Sequence, residues 1–153
     1  MRTVSMATSV GEALDKLTIL ALKAKYIPVE DARQVHITTE QVAVSQSLYD
    51  AGLTPSVLLD MWHVAHGPLK KLRDVNEKLW KIEDGIRAGL PAYEANPDVI
   101  DSQLFMLMLQ VPVLNDIRGK LKAQLNDDLG SPLREVKSYS GFELGAPDDD
   151  NGT

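Results

Sequence analysis

The hydrophobic pattern of this chain repeats with a helical period, and polar side chains interrupt it at particular positions. The clearest case lies between Val75 and Arg87. On a helix that turns by about 100° per residue, the leucines and isoleucines of this segment share one broad face with Val75. Asn76, Glu83 and Arg87 fall on the same face. Burying an unpaired charge is costly, so the segment predicts either matched partners on a neighbouring helix or a polar cavity.

The last long helix has a similar polar insertion. Its leucines form one face, Arg118 lies among them, and Asn115 and Lys122 lie at the edge. Opposite charges on facing stripes predict that this helix packs antiparallel to the Val75 segment. Glu83 would then pair with Arg118 or Lys122, with Asp84 further round the helix.

The first helix shows the strongest local signal. Ser9 and Glu12 form a capping box, and the helix should run to about Tyr26, ahead of Pro28. This helix is apolar on two faces, and Asp15 lies between apolar residues on the second one. Such a helix is central in a bundle or lies at a subunit interface. We therefore expect Asp15 to be buried and the protein to be a homo-oligomer.

Caps, prolines and glycines set the other boundaries. The pattern predicts an all-α fold, a compact bundle of four to five helices with two long antiparallel helices at its centre. We expect one domain over residues 1–145 and an acidic disordered tail over 146–153. A C-terminal segment should dock along the bundle through Leu133, Val136, Tyr139 and Phe142. A second helix is expected from about Asp31 or Thr39 to Asp50, where Gly52 should stop it, and a third from Thr54-Pro55 to a break at Gly67-Pro68. The two long helices should run from Pro68 to about Gly89 and from Asn96-Pro97 to about Leu129, where Gly130 ends the last one.

Composition narrows the classes of function. Hydrophobic residues make up 44% of the chain and charged residues 25%, which is ordinary for a globular protein. The absence of cysteine excludes disulfides, thiolate metal sites and cysteine nucleophiles, and fits a cytoplasmic protein. A net charge of −6 argues against nucleic acid and anionic membranes as partners. No apolar run approaches the ~18 residues of a membrane span, and no targeting segment is evident.

Two interpretations of the polar positions remain open. In the first, they form a buried network that fixes helix register in a non-catalytic, homo-oligomeric interaction or scaffold protein. In the second, they line a pocket for a phosphorylated small molecule, with possible Mg²⁺-dependent hydrolysis of a nucleotide or nucleotide-sugar. In that pocket Asp15, Glu83 and Asp84 would bind the metal or act as general base, and Asn76, Arg87, Asn115, Arg118 and Lys122 would hold the ligand.

Four segments, residues 9–20, 75–87, 114–122 and 133–139, together resemble a family of small helical bacterial and phage proteins without an assigned activity. That resemblance implies an all-α fold and no particular reaction. The acidic residues Glu12, Asp15, Glu83 and Asp84 are also similar to those of the MazG-like all-α nucleotide pyrophosphohydrolases. This second similarity implies acidic residues that bind Mg²⁺, although the E-E-x-x-E run of that group is missing here.

Overall fold

The computed structural model describes residues 6–96 and 101–134, and all secondary structure in these ranges is helical. The fold is an all-α compact bundle, as the hydrophobic pattern predicts. Five helices follow one another in these ranges: α1 (Val10–Tyr26), α2 (Arg33–Asp50), α3 (Pro55–His63), α4 (Pro68–Ala95) and α5 (Ser102–Asp128).

Helix α1 is central, because it packs against α2, α4 and α5. Its two apolar faces are both used: Leu14, Leu20 and Leu22 are all nearly inaccessible to solvent. The second apolar face, on which Asp15 lies, is therefore covered within the chain by α4 and α5, and does not itself require a second subunit. Asp15 is only 2% exposed, as its position between apolar residues predicts.

Helices α4 and α5 form the most extensive contact of the bundle and run antiparallel. Gly85 of α4 lies against Leu107 of α5, and Gly89 lies against Leu104, so the two helices run in opposite directions. The buried core between the helices is almost entirely leucine, which agrees with the low aromatic content. Its members are Leu14, Leu48, Leu53, Leu69, Leu72, Val75, Leu79, Leu121 and Leu125.

Two predicted boundaries are wrong. Helix α4 does not end at Gly89 but continues through Pro91 to Ala95. Pro91 is exposed, so water can solvate the carbonyl that its missing N–H leaves unbonded. Gly89 serves close packing rather than termination, since a Cβ there would lie 3.1 Å from a methyl group of Leu104.

The second error concerns the start of the last helix. Asn96 ends α4, because its N–H donates to the carbonyls of Ala92 and Tyr93. Helix α5 instead begins at Ser102, with the Asp101 side chain accepting a hydrogen bond from the Gln103 N–H. The pair Asn96-Pro97 is typical of a helix start, but the backbone N–H of Asn96 is already bonded to the last turn of α4.

The other boundaries are confirmed. Thr54 caps α3, and Gly67-Pro68 separates α3 from α4. Gly52 and Gly130 follow α2 and α5 with φ of 94° and 64°, a conformation that favours glycine. Helix α3 has no fully buried residue, but Leu58, Met61 and Trp62 are partly buried against the core. The Arg73 guanidinium of α4 also lies 5.0 Å from the ring centre of Trp62.

The predicted docked segment and acidic tail lie mostly outside the described residues. Of the four docking positions only Leu133 is described, and it is exposed, whereas Val136, Tyr139, Phe142 and residues 146–153 fall in the undescribed range. Within residues 6–96 and 101–134, no helix has the length and apolar character needed to cross a membrane.

Candidate functional site

The centre of the bundle contains a polar cluster made of Asp15, Thr18, Asn76 and Arg118, which we call the Asp15 cluster. Three helices supply it: α1 provides the first two residues, α4 the third and α5 the fourth. Asp15, Thr18 and Asn76 are 2%, 0% and 4% exposed. The spacing of Asp15 and Thr18 puts both on one side of α1, where α4 and α5 meet it.

Asp15 receives hydrogen bonds from both neighbouring helices. Asn76 Nδ2 donates to Asp15 Oδ1 at 2.8 Å and to Thr18 Oγ1 at 2.7 Å. The Arg118 guanidinium binds the carboxylate with two nitrogens, Nε to Oδ1 at 2.9 Å and Nη2 to Oδ2. The Thr18 hydroxyl donates to the Asp15 carbonyl at 2.8 Å. Two-point binding of a buried carboxylate by Arg is strong and directional, so the cluster fixes how α1, α4 and α5 pack.

A second polar contact joins the start of α1 to the end of α5. The first three N–H groups of α1 each find a side-chain oxygen: Val10 donates to Ser131, Gly11 to Asn126 and Glu12 to Ser9. Asn126 is 3% exposed, and its bond to Gly11 is 2.7 Å long. Of these three N–H groups, which α1 cannot satisfy internally, two are therefore satisfied by side chains at and just after the end of α5.

Lys122 belongs to this second contact and pairs with Glu12, whereas Glu83 pairs with Arg87. The capping box is thereby only half formed. Ser9 caps the helix, while the Glu12 carboxylate reaches α5 instead of the Ser9 N–H. A charge-assisted bond to Lys122 replaces a bond to a neutral N–H.

Glu83, Asp84 and Arg87 lie away from the Asp15 cluster. All three are exposed on α4, and Arg87 pairs with Glu83 at 2.8 Å and with Asp84 at 3.5 Å. The predicted pairing of Glu83 with Arg118 or Lys122 is wrong, because those cations face α1 while Glu83 faces solvent. Glu83 lies two helical turns beyond Asn76, about 10 Å along the axis.

The structure therefore does not bring the expected metal ligands together. Asp15 is buried and bound by Arg118, whereas Glu83 and Asp84 are solvated on another face of the bundle. Across the described ranges, no three acidic or histidine side chains are placed to hold a metal ion. Asn115 is half-buried on α5. Of the residues expected to hold a ligand, only Asn76 and Arg118 belong to the Asp15 cluster.

A cleft of about 410 Å³ opens between α1 and α2 next to the cluster. Asp15 and Arg118 reach it, and the Arg118 side chain is 27% exposed. Lys16, which pairs with Glu40 across the cleft, and Lys23 also line it. Because three cationic and three acidic side chains line the cleft, its charges balance; they are Lys16, Lys23, Arg118, Glu12, Asp15 and Glu40.

An exposed ion pair lies at the C-terminal end of α1, where this helix meets α4. The Lys25 ammonium donates to Glu77 at 2.8 Å and the Tyr26 hydroxyl donates to the same oxygen. These bonds, that of Lys25 first, lower the pKa of Glu77 to about 2. Tyr26 also stacks on Trp80 with ring centres 5.7 Å apart, which ties the end of α1 to α4.

Sequence reasoning missed Thr18, Asn126, Ser131 and the role of Glu12. Thr18 carries a weak signal, since it lies three residues after Asp15 on the same helical side. Asn126 and Ser131 carry none, because their partners are backbone N–H groups more than one hundred residues away. In the described part of the chain, every buried side-chain nitrogen or oxygen has a hydrogen-bond partner.

Comparisons of this chain with family models, with curated proteins and with solved structures found no match.

Proposed function

We propose that this chain is a non-catalytic interaction protein, in which the Asp15 cluster holds the helices in register and an apolar surface on α5 binds a partner. The surface carries the proposal. We call it the α5 apolar face; its side chains are between 41% and 58% exposed, and they are Phe105, Met106, Met108, Leu109, Val113 and Ile117.

The α5 apolar face is unusual because the same part of the helix also packs inward. Leu104 is buried and Leu107, Val111 and Leu114 are half-buried on the side that faces α4. A helix that is apolar all round is normally buried on all sides. Contiguous apolar patches of this size on a folded protein commonly mark interaction sites.

The closed hydrogen bonding of the Asp15 cluster supports the non-catalytic part of the proposal. A carboxylate that acts as a general base or as a metal ligand needs an oxygen that can take up a proton or a metal ion during the reaction. Asp15 already accepts three hydrogen bonds from Asn76 and Arg118 at 2% exposure. This environment suits a fixed structural anion that joins three helices.

Site-specific photo-crosslinking in the cells that make the protein tests the proposal. A photoreactive residue replaces Met106 on the α5 apolar face, and a matched one replaces the exposed Ala43 on α2. We expect a product of discrete mass from position 106, absent from position 43 and lost when Leu109→Asp is added. Equal yields at positions 106 and 43 would overturn the proposal.

A second candidate function is binding of a phosphorylated small molecule in the cleft between α1 and α2. The partly exposed Arg118 and the nearby Lys16 and Lys23 favour it, because guanidinium and ammonium groups bind phosphate oxygens. A thermal shift with nucleotides and Mg²⁺ that is lost in Lys23→Ala but kept in the exposed control Lys78→Ala would support it. Unchanged melting temperatures across the nucleotide panel would reject it.

A further inference from the structure

We infer that the partner bound by the α5 apolar face is a second copy of this chain, packed antiparallel across a two-fold axis at Leu109. The inference rests on the proposed function, because it names the occupant of the same surface. Three properties of α5 support it: its distribution of charge, the spacing of its exposed side chains and the size of the face.

The charge distribution is symmetric about Leu109. From Ser102 to Asn115 the helix contains no charged residue, and the middle of this run falls between Met108 and Leu109. A two-fold axis at Leu109 therefore lays the uncharged run onto itself. The nearest acidic residues, Asp101 and Asp116, lie eight and seven residues from Leu109, about 12 and 10 Å along the helix axis, and so flank the uncharged run on both sides.

The spacing of the exposed side chains matches a known way of packing identical helices. Phe105, Leu109 and Val113 stand four residues apart and form one ridge on the outer side of α5. Ridges of this spacing interdigitate when two helices cross at about 50° with axes 8–10 Å apart. In that arrangement Leu109 meets Leu109 of the second copy, and Phe105 meets Val113.

The size of the face fits a pair of chains. Six large apolar side chains, each about half exposed, present several hundred Å², at or above the roughly 300–600 Å² of the largest patch on a typical monomer. Interfaces that bury about 800 Å² on each partner have an apolar centre surrounded by a polar rim, and this face provides an apolar centre of that kind. The net charge of −6 disfavours an anionic lipid surface as the occupant.

Cysteine cross-linking tests the geometry without interference, because the natural chain contains no cysteine. Under mild oxidation of the full chain we expect Leu109→Cys to form a disulfide-linked dimer, and the exposed control Ala43→Cys to form little. A mixture of Phe105→Cys and Val113→Cys chains should give the mixed disulfide in preference to either symmetric one. Preferential 105–105 linkage would overturn the antiparallel arrangement.

Sedimentation equilibrium tests whether the partner bound by the α5 apolar face is a second copy of this chain. We expect the full chain to show twice its monomer mass at micromolar concentration, and Leu109→Glu to weaken dimerisation by at least about 100-fold, since two buried carboxylates would then face each other. Ala43→Glu adds the same charge elsewhere and should dimerise normally, and circular dichroism checks that both variants fold.

If the full chain stays monomeric at micromolar concentrations, the inference is wrong. The two proposals fail separately. A monomeric purified chain whose position 106 still cross-links to a different protein in cells refutes the second-copy partner alone. A chain that cross-links at position 106 no more than at position 43 refutes the function as well.

Discussion

At the scale of single residues, Asp15 is the buried side chain that joins α1 to both α4 and α5 by hydrogen bonds. Its carboxylate accepts hydrogen bonds from α4 and α5, and its neighbour Thr18 accepts another from Asn76. Removal of the Asp15 carboxylate would take away the acceptor that the buried Asn76 amide and the Arg118 guanidinium share. The effect should exceed that of any exposed pair in the molecule.

We therefore predict that Asp15→Leu lowers the free energy of unfolding by about 3–5 kcal/mol. Arg118 and the Asn76 amide would lose their shared acceptor. Glu83→Leu is the matched control, because it breaks an exposed pair with Arg87 and should change stability by about 0.5 kcal/mol or less. Urea denaturation measures both, and equal losses would show that the cluster has no structural role.

A second residue-scale prediction concerns pH. Because the pKa of Glu77 falls from 4.5 to about 2 on folding, its contribution is complete above pH 4.5 and is lost as the pH falls towards 2. The pair is partly solvated, so the contribution is about 1 kcal/mol or less. Melting temperatures should differ between Glu77→Gln and the natural chain at pH 7 and converge near pH 2.

The exposed Glu94 on α4 provides the control for this experiment. Glu94→Gln should leave the melting curve unchanged at both pH values. If the difference caused by Glu77→Gln persists undiminished at pH 2, the ion pair with Lys25 is not its source.

At the scale of elements, the start of α1 approaches the end of α5 so closely that Gly11 has no room for a side chain. A Cβ at Gly11 would lie 2.5 Å from the Lys122 carbonyl oxygen and 2.9 Å from Asn126 Oδ1. The absence of a side chain at Gly11 thus allows the Gly11 N–H to reach Asn126. The contact couples the ends of two helices that are distant in sequence.

Gly11→Ala should therefore destabilise the protein by about 1–3 kcal/mol, although alanine normally favours a helix over glycine by about 1 kcal/mol. Gly85→Ala is the control, since a Cβ there meets only the mobile end of Leu107 and should be neutral or stabilising. Thermal unfolding distinguishes them. A gain in stability for Gly11→Ala would contradict the close approach.

Most elements were predictable because their signals are local. The Ser9 and Thr54 caps, the Gly67-Pro68 break and Gly52 act through neighbouring backbone groups. The end of α4 was not predictable in this way. Gly89 and Pro91 are typical of termination, but packing of Gly89 against Leu104 and solvation beside Pro91 keep the helix intact.

At the scale of the whole molecule, α1 and α5 differ in how much of their apolar surface stays exposed. Both helices are apolar on more than one side. The second side of α1 is covered within the chain, whereas the outer side of α5 is half exposed at Leu109 and Val113. The sequence pattern predicts the surplus of apolar surface but not the helix on which it remains exposed.

If two chains associate through α5, the melting temperature of the natural chain should rise with protein concentration, because dimerisation stabilises the native state by mass action. A tenfold increase in concentration should raise it by about a degree or more. Leu109→Glu should melt at the same temperature at every concentration. A concentration-independent melting temperature for the natural chain would contradict association.

The sequence by itself determined the helical fold and the burial of Asp15. It left α1 either central in the bundle or at a subunit interface, and it predicted the antiparallel packing of α4 and α5 from a pairing of Glu83 with Arg118 or Lys122 that does not form. Helical period, caps and charge placement are properties of single segments, and they can be read without knowing what each segment touches. Only the tertiary structure decided that Arg118 pairs with Asp15, that Lys122 pairs with Glu12 and that Glu83 faces solvent. A period of 3.6 residues says which residues share a face, but the rotation of each helix against its neighbours, set by packing of the whole core, chooses among the partners that the face can reach.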